Sequence, residues 1–344
     1  MSNALQHLPL AMSLIVFIVA AGLIGFFGVR MTVLARELAS ITGLGEAVMG
    51  AVLIGASTSL SGITASATAA WYGEASLAVS NSLGGIAAQT LFLVLADLVY
   101  RKANLEYAAA SVENMMMSAQ LILLLSIVLV AFLLPDAEIW GIHPASVVLL
   151  LSYLFTVKML IDTHEKPMWL PRMSKGTVRE KKTPKRRIKG EKTRVFLGFL
   201  VCAAVVAFAG WLIACAGLEI VRRSGLSDGV MGGMFIAIST SLPELVVAVT
   251  AVRMGALTLA VGDIIGGNAF DTLFIAVSDL FYREGSIYRA ISTQEHVWLS
   301  GSLMMTTVLL LGLMYRQKKG IANIGMESTV ILLIYVLTAG YIAS

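Results

Sequence analysis

The chain has 344 residues, 58% of them hydrophobic and 13% charged, with a mean hydropathy of +0.85. So little charge excludes a water-soluble globular domain of this length and puts most of the chain in a bilayer. The formal net charge of +4 is local, because residues 163–194 hold 12 Lys and Arg against 3 acids and leave the remainder acidic.

In chain order, apolar stretches predict spans at 10–29, 46–71, 75–99, 115–134 and 142–161. Beyond the basic segment they continue at 195–216, 229–252, 256–281, 297–315 and 324–343. Each is close to or above the roughly 20 residues that cross a bilayer core. With no water there to satisfy the backbone, all should be helices. The expected fold class is an all-α membrane protein of about ten transmembrane helices, in two five-helix halves, 1–162 and 195–344. Met1 to Leu10 lacks a basic n-region and a cleavage site, so the first span is read as retained. Cys202 and Cys215 fall 13 residues apart on one predicted helix, roughly 20 Å of rise and beyond disulfide reach.

The central run Lys181-Lys182-Thr183-Pro184-Lys185-Arg186-Arg187 reads as part of a solvated cytoplasmic loop at 163–194, with anionic-lipid contact as the sharper alternative. No binding module accompanies the charge, which argues against a nucleic-acid partner. A cytoplasmic loop after five spans places the N-terminus outside. Arg30, Arg36, Arg101, Lys102, Arg253, Arg316, Lys318 and Lys319 then lie inside, as expected. Arg222, Arg223, Arg283 and Arg289 disagree. Because five is odd, the second half must insert upside down relative to the first.

The chain repeats itself. Ser57-Thr58-Ser59-Leu60 recurs as Ser239-Thr240-Ser241-Leu242, and residues 57–101 and 239–283 agree without a gap at about 20 of 45 positions. Gly84-Gly85 meets Gly266-Gly267, Thr90-Leu91-Phe92 meets Thr272-Leu273-Phe274, and Asp97 meets Asp279. The repeat-bearing segments extend over about 46–101 and 228–283. A duplicated intramembrane element with glycine breaks and acids points to a transporter. Pro243 should kink its span and free carbonyls near Ala237 as cation ligands. Gly262, Gly266, Gly267 and Asn268 suit either close helix approach or local unwinding.

Glu244 and Asp271 are the costly residues, since a carboxylate at a helix centre costs about 2.5–3.5 kcal/mol on insertion scales. No Lys or Arg lies mid-span near them in sequence, so a bound cation or proton is the expected counter-charge. With Thr240, Ser241 and Asn268 they form a hard-oxygen set suited to Ca²⁺ or Na⁺ and ill suited to soft metals. Two protonated acids that merely hydrogen-bond between helices are the bland alternative. Asp263, Gly267 and Asp271 are four residues apart and share a helical face. Asp263 is thus a third candidate, at the site or along an entry path. No nucleotide-binding loop or nucleophile constellation is evident, so no enzyme activity and no cofactor are expected, and an ion gradient should supply the energy.

These residues resemble the cation/calcium exchanger superfamily. The segments Ser239-Thr240-Ser241-Leu242-Pro243-Glu244-Leu245 and Gly262-Asp263-Ile264-Ile265-Gly266-Gly267-Asn268-Ala269-Phe270-Asp271 look like its alpha-repeat. The resemblance implies an alternating-access antiporter moving Ca²⁺ against Na⁺ or H⁺, with transported cations and lipid as its partners. By position it makes Glu244 the central acid and Asp271 its partner, with Thr240, Ser241 and the Ala237 carbonyl completing that half. From the first copy it brings Thr58, Ser59 and the Gly55 carbonyl.

The sequence also departs from the family. The first copy has Ser61-Gly62 where a Pro-Glu is normal, Gln89 opposite Asp271 as a neutral oxygen ligand, Ile86 opposite Asn268, and glycines at 85 and 267 where serines are frequent. The first alpha-repeat is therefore degenerate. Glu244 and Asp271 alone balance one Ca²⁺, two Na⁺ or two H⁺. The expectation is altered stoichiometry, since each uncompensated charge couples to voltage by about 2.3 kcal/mol per 100 mV. A monovalent cation/proton exchanger and a non-transporting ion-binding scaffold are the other readings. The compact ten-span plan suggests a bacterial inner membrane.

Overall fold

The computed structural model describes residues 9–43, 46–100, 102–135, 139–166, 168–172, 177, 191–222, 230–318, 320 and 325–344. Most of the basic segment lies outside the described residues. Twelve helices carry the fold among them: α1 (Leu10–Thr42), α2 (Met49–Thr58), α3 (Leu60–Trp71), α4 (Ala75–Val99), α5 (Val112–Leu133), α6 (Pro144–Glu165), α7 (Glu191–Arg222), α8 (Gly232–Thr240), α9 (Leu242–Arg253), α10 (Leu257–Phe281), α11 (Thr293–Tyr315) and α12 (Met326–Ala343). Eight are long and apolar enough to span a membrane, and the bent pairs α2/α3 and α8/α9 bring the number to ten. The chain is an integral membrane protein of two inverted five-helix halves. The only extended pairing among the described residues is an isolated bridge between Ile139 and Ile142.

Burial sorts the helices into two layers. α4 and α10 are buried over 78% of their most apolar window, whereas α1 is buried over 17% and shows its apolar side outward, as a lipid-facing helix does. The two central helices pack on each other and on the opposite half's bent pair, and α1 and α7 run side by side across the bent pairs. The structure decides between the two roles considered for the glycines. α10 is an uninterrupted helix through Gly266 and Gly267, so close approach is their function. A Cβ on Gly266 would overlap the Ala51 backbone, and its repeat mate Gly84 meets Gly233 in the same way.

Each bent pair begins with a π-helical turn, Met49–Ile54 and Met231–Ile236, and then breaks at a serine. The bends are 46° at Ser59 and 50° at Ser241. This corrects the assignment of the kink to Pro243, because the first copy has Ser61 there and bends almost as far. The wide π turn misaligns the next carbonyls, and the break is common to both copies. Pro243 instead occupies the first turn of α9, where its missing N–H costs nothing.

Two further contacts tie the halves together. Asp97, ending α4, accepts hydrogen bonds from Leu105 N (2.7 Å), Gly325 N (3.1 Å) and Ser328 Oγ (3.1 Å) at the start of α12. Its mate Asp279, ending α10, accepts from His143 N (2.8 Å) and Ser146 Oγ (2.8 Å) at the start of α6. Each aspartate thus caps the last helix of the opposite half, where the helix N-terminus favours negative charge.

Beside Asp97 the halves diverge. Glu106, on a one-turn helix between α4 and α5, is 1% exposed and neither carboxyl oxygen has a hydrogen-bond partner among the described residues. Burial, then the Asp97 and Glu327 carboxylates, pushes its pKa well above the usual range. Its mate in the second half is Tyr288, whose neutral hydroxyl lies 2.9 Å from Ser146 Oγ. A raised carboxyl pKa costs the fold nothing below the unfolded-state value near 4.3 and progressively more as pH rises towards the folded value. Glu106→Gln should therefore raise the melting temperature by about 3 °C at pH 8 and leave it unchanged at pH 4, measured by thermal shift of purified protein.

Candidate cation site

The breaks at Ser59 and Ser241 face each other between α4 and α10. Glu244 lies in the first turn of α9 and Asp271 is mid-way along α10; both are 1% exposed. Glu244 Oε1 accepts a long hydrogen bond from Ser59 Oγ (3.5 Å), which crosses between the halves. Asp271 Oδ2 accepts from Gln89 Nε2 (2.6 Å), and the same nitrogen also lies 3.2 Å from Ser241 Oγ. Five of the sequence-selected residues, Ser59, Gln89, Ser241, Glu244 and Asp271, thus meet in one buried polar cluster. Glycines close it: a Cβ on Gly85 would lie 3.5 Å from Asp271 Oδ2, and one on Gly267 would lie 3.2 Å from Gln89 Oε1.

The chemistry of the cluster lies in what is unsatisfied. Glu244 Oε2, Asp271 Oδ1, Gln89 Oε1 and Asn268 Oδ1 are all buried without a hydrogen-bond partner among the described residues. Buried acceptors without donors cost about 1–3 kcal/mol each, more when charged. Four of them in one region suit a group that brings positive charge, and a hard cation takes such oxygens at 2.3–2.6 Å. No three His, Cys, Asp or Glu side chains among the described residues are grouped as a metal centre. The cluster combines two acids with neutral oxygen groups.

The other selected residues take different places. Thr240 Oγ1 donates to the carbonyls of Ile236 (2.9 Å) and Ala237 (3.2 Å), and Thr58 Oγ1 to those of Ile54 (3.0 Å) and Gly55 (3.1 Å). The Ala237 and Gly55 carbonyls also accept Ser241 N and Ser59 N, both at 3.1 Å. The expectation that Pro243 frees the carbonyl near Ala237 is therefore corrected: Thr240 Oγ1 and Ser241 N satisfy it locally, as Thr58 Oγ1 and Ser59 N do that of Gly55. Asn268 Nδ2 donates to Thr90 Oγ1 (2.9 Å) on α4 and leaves Oδ1 without a partner among the described residues. Asp263 is fully buried, about two turns from Asp271 along α10, and both its oxygens lack partners among the described residues.

Sequence reasoning missed three supports. Ser61 Oγ reaches the Thr240 carbonyl (3.2 Å), Ser82 Oγ the Asp271 carbonyl (2.6 Å), and Asn81 Nδ2 the Gly62 carbonyl (3.1 Å). Each is a small polar residue in an apolar run, and the repeat gives it no mate of the same type.

The family model described as sodium/calcium exchanger protein matches residues 12–161 and again 194–343. The chain belongs to the sodium/calcium exchanger family. The exchanger MaX1 of Methanosarcina acetivorans is 38% identical over 89 residues, 26% of this chain and 25% of its own length, so that match spans a quarter of the relative. The candidate antiporter CaxA of Alkalimonas amylolytica is 26% identical over 275 residues, 79% of this chain and 81% of its own. The crystal form of the sodium-calcium exchanger NCX_Mj soaked with 10 mM Na⁺ and zero Ca²⁺ superposes with a TM-score of 0.70 at 18% identity, covering 96% of this chain and 99% of that one. That likeness carries the fold of the family, two repeats included. As a family member the chain is a membrane transporter, and the candidate cation cluster lies where its two repeats face each other.

Proposed function

We propose that this exchanger-family protein is a secondary-active antiporter that exports Ca²⁺ in exchange for Na⁺ or H⁺ by alternating access. The carrying observation is the set of buried oxygens on Glu244, Asp271 and Gln89, unpartnered among the described residues, beside the two backbone breaks. Glu244 and Asp271 supply charge −2, Ser59, Ser241 and Gln89 supply neutral oxygens, and Thr58, Thr240, Asn268 and the Gly55 and Ala237 carbonyls join when local hydrogen bonds exchange for the ion. One Ca²⁺ or two monovalent cations balance the acids. Exchange then moves little net charge, and a three-Na⁺ stoichiometry does not fit because Gly62 replaces the first-repeat acid. The distribution of Lys and Arg supports an N-terminus outside and a basic cytoplasmic loop at 163–194. A bacterial inner membrane is the proposed location.

A second reading, a monovalent cation/proton exchanger, draws on Asp263, a buried acid with no donor among the described residues, whose mate in the first copy is the neutral Asn81. Flux in proteoliposomes separates the two. ⁴⁵Ca²⁺ uptake driven by an imposed Na⁺ or H⁺ gradient, with a reversal potential near electroneutral coupling, is the expected result. Gradient-driven Na⁺/H⁺ exchange without Ca²⁺ flux supports the second reading. Ca²⁺ binding with no flux of any ion leaves an ion-binding scaffold.

A further inference from the structure

We propose that Phe274 is a specificity-determining plug whose ring occupies the place of the missing first-repeat acid and confines ion binding to the Glu244 side of the cage. The inference deepens the exchange reading above and rests on it for the identity of the ions.

Gly62 is the repeat mate of Glu244. A Cβ built on Gly62 would lie 2.5 Å from Phe274 Cε2 and 2.8 Å from Cζ, closer than real Cβ atoms come to a neighbour, while Cδ2 stands at an ordinary 3.6 Å. The far edge of the ring therefore fills the volume into which any side chain at 62 would leave the backbone. Both partners are packed. Phe274 is 3% exposed and its edge meets Phe270 (6.4 Å between centroids), which in turn meets Tyr153 of α6 (5.8 Å). On the other side, Asn81 Nδ2 holds the Gly62 carbonyl at 3.1 Å and Ser66 Oγ at 2.8 Å, fixing α3 against α4.

The second half supplies the control. There the repeat mates are Glu244 in place of Gly62 and Phe92, from the first half, in place of Phe274. An aromatic here is compatible with an acid, so the feature special to the first half is the ring closed over a glycine. A closed ring does two things that loss of a carboxylate alone would not. It removes the volume in which water or an additional monovalent cation would sit, and it surrounds the Ser59 side of the cage with an apolar wall. The gain or loss of the third monovalent ion is then set by the pair Gly62/Phe274, not by position 62 alone.

The test uses full-length protein and three variants: Gly62→Glu, Phe274→Leu and the double. Leucine keeps the δ carbons and drops Cε2 and Cζ, the two atoms in the way. In Na⁺ competition against bound ⁴⁵Ca²⁺, Gly62→Glu alone should stay within about threefold of wild type in Ca²⁺ affinity with an unchanged Na⁺ Hill coefficient. The double should bind Ca²⁺ at least about tenfold tighter and raise the Hill coefficient by about one. Gly62→Glu alone matching the double overturns the plug and leaves the exchange reading standing. Melting temperatures of Gly62→Ala in the wild-type and Phe274→Leu backgrounds give a readout that needs no ion. Alanine should lower the melting temperature by several degrees against phenylalanine and not against leucine, and equal losses in both backgrounds overturn the plug. Absence of Ca²⁺ binding in every variant, with that melting difference present, fails the exchange reading and upholds the ring as the occupant of the lobe.

Discussion

Glu244→Gln is expected to lower Ca²⁺ affinity by a factor of about 100–4,000 and to raise the stability of the cation-free protein. Glu244 supplies half of the charge of the proposed cage and its Oε2 has no partner among the described residues. Removing one charge from a buried ion contact costs about 3–5 kcal/mol, and every 1.4 kcal/mol is tenfold in affinity. The same substitution relieves the cation-free protein of a buried acid, and glutamine brings donors of its own. Thermal shift should show a higher melting temperature without Ca²⁺ and no further rise on adding it, whereas wild type should rise with ligand as mass action requires. Asp263→Asn places at 263 the residue that the first copy carries at 81, and serves as a fold-compatible control. Ca²⁺ affinity unaffected by Glu244→Gln removes Glu244 from the site.

Asp97→Ala and Asp279→Ala are expected to be the most destabilising single changes outside the site, at about 3 kcal/mol or more each. Each alanine strips the acceptor from backbone N–H groups that have no replacement: Leu105 N and Gly325 N in one case, His143 N in the other. Buried donors left unpaired cost about 1–3 kcal/mol apiece, and charge-assisted bonds sit at the upper end. Because each aspartate joins the long helix of one half to the last helix of the other, the loss should loosen the two halves together. The melting temperature should fall by about 6–10 °C, followed by fluorescence-detected size exclusion after heating. Asparagine keeps one acceptor oxygen and should recover about half of the loss. If either alanine variant melts like wild type, the inter-half caps do not contribute as argued. Their equivalence gives an internal check, since Asp279, with two donors, should lose less than Asp97, with three.

Much of this was legible before any coordinates. The ten spans follow from apolar length, since a bilayer admits only self-satisfied helices of about 20 residues. The repeat at Ser57-Thr58-Ser59-Leu60 and Ser239-Thr240-Ser241-Leu242 announced the halves, and their odd span number implied the inversion. Glu244 and Asp271 stood out because acids in such surroundings are costly, and that local cost is written in the sequence. The clustering of Ser59, Gln89 and Ser241 about them was reachable by pairing the two copies.

Other features depended on which atoms of one half meet the other. Pro243 looked like the cause of the bend, yet Ser61 in its place leaves the bend almost unchanged, because the π turn before the break is shared. The Ala237 carbonyl looked free, yet the Thr240 hydroxyl three residues on takes it. Gly62 read as an absence, and only packing puts the Phe274 ring there. Linear spacing fixes what lies along one helix: period, length, charge and the mate in the other copy. Contacts between α3 and α10, or between Asp97 and α12, join residues about 200 positions apart. Their geometry is a sum of many small packing choices, and no single residue in the chain encodes it.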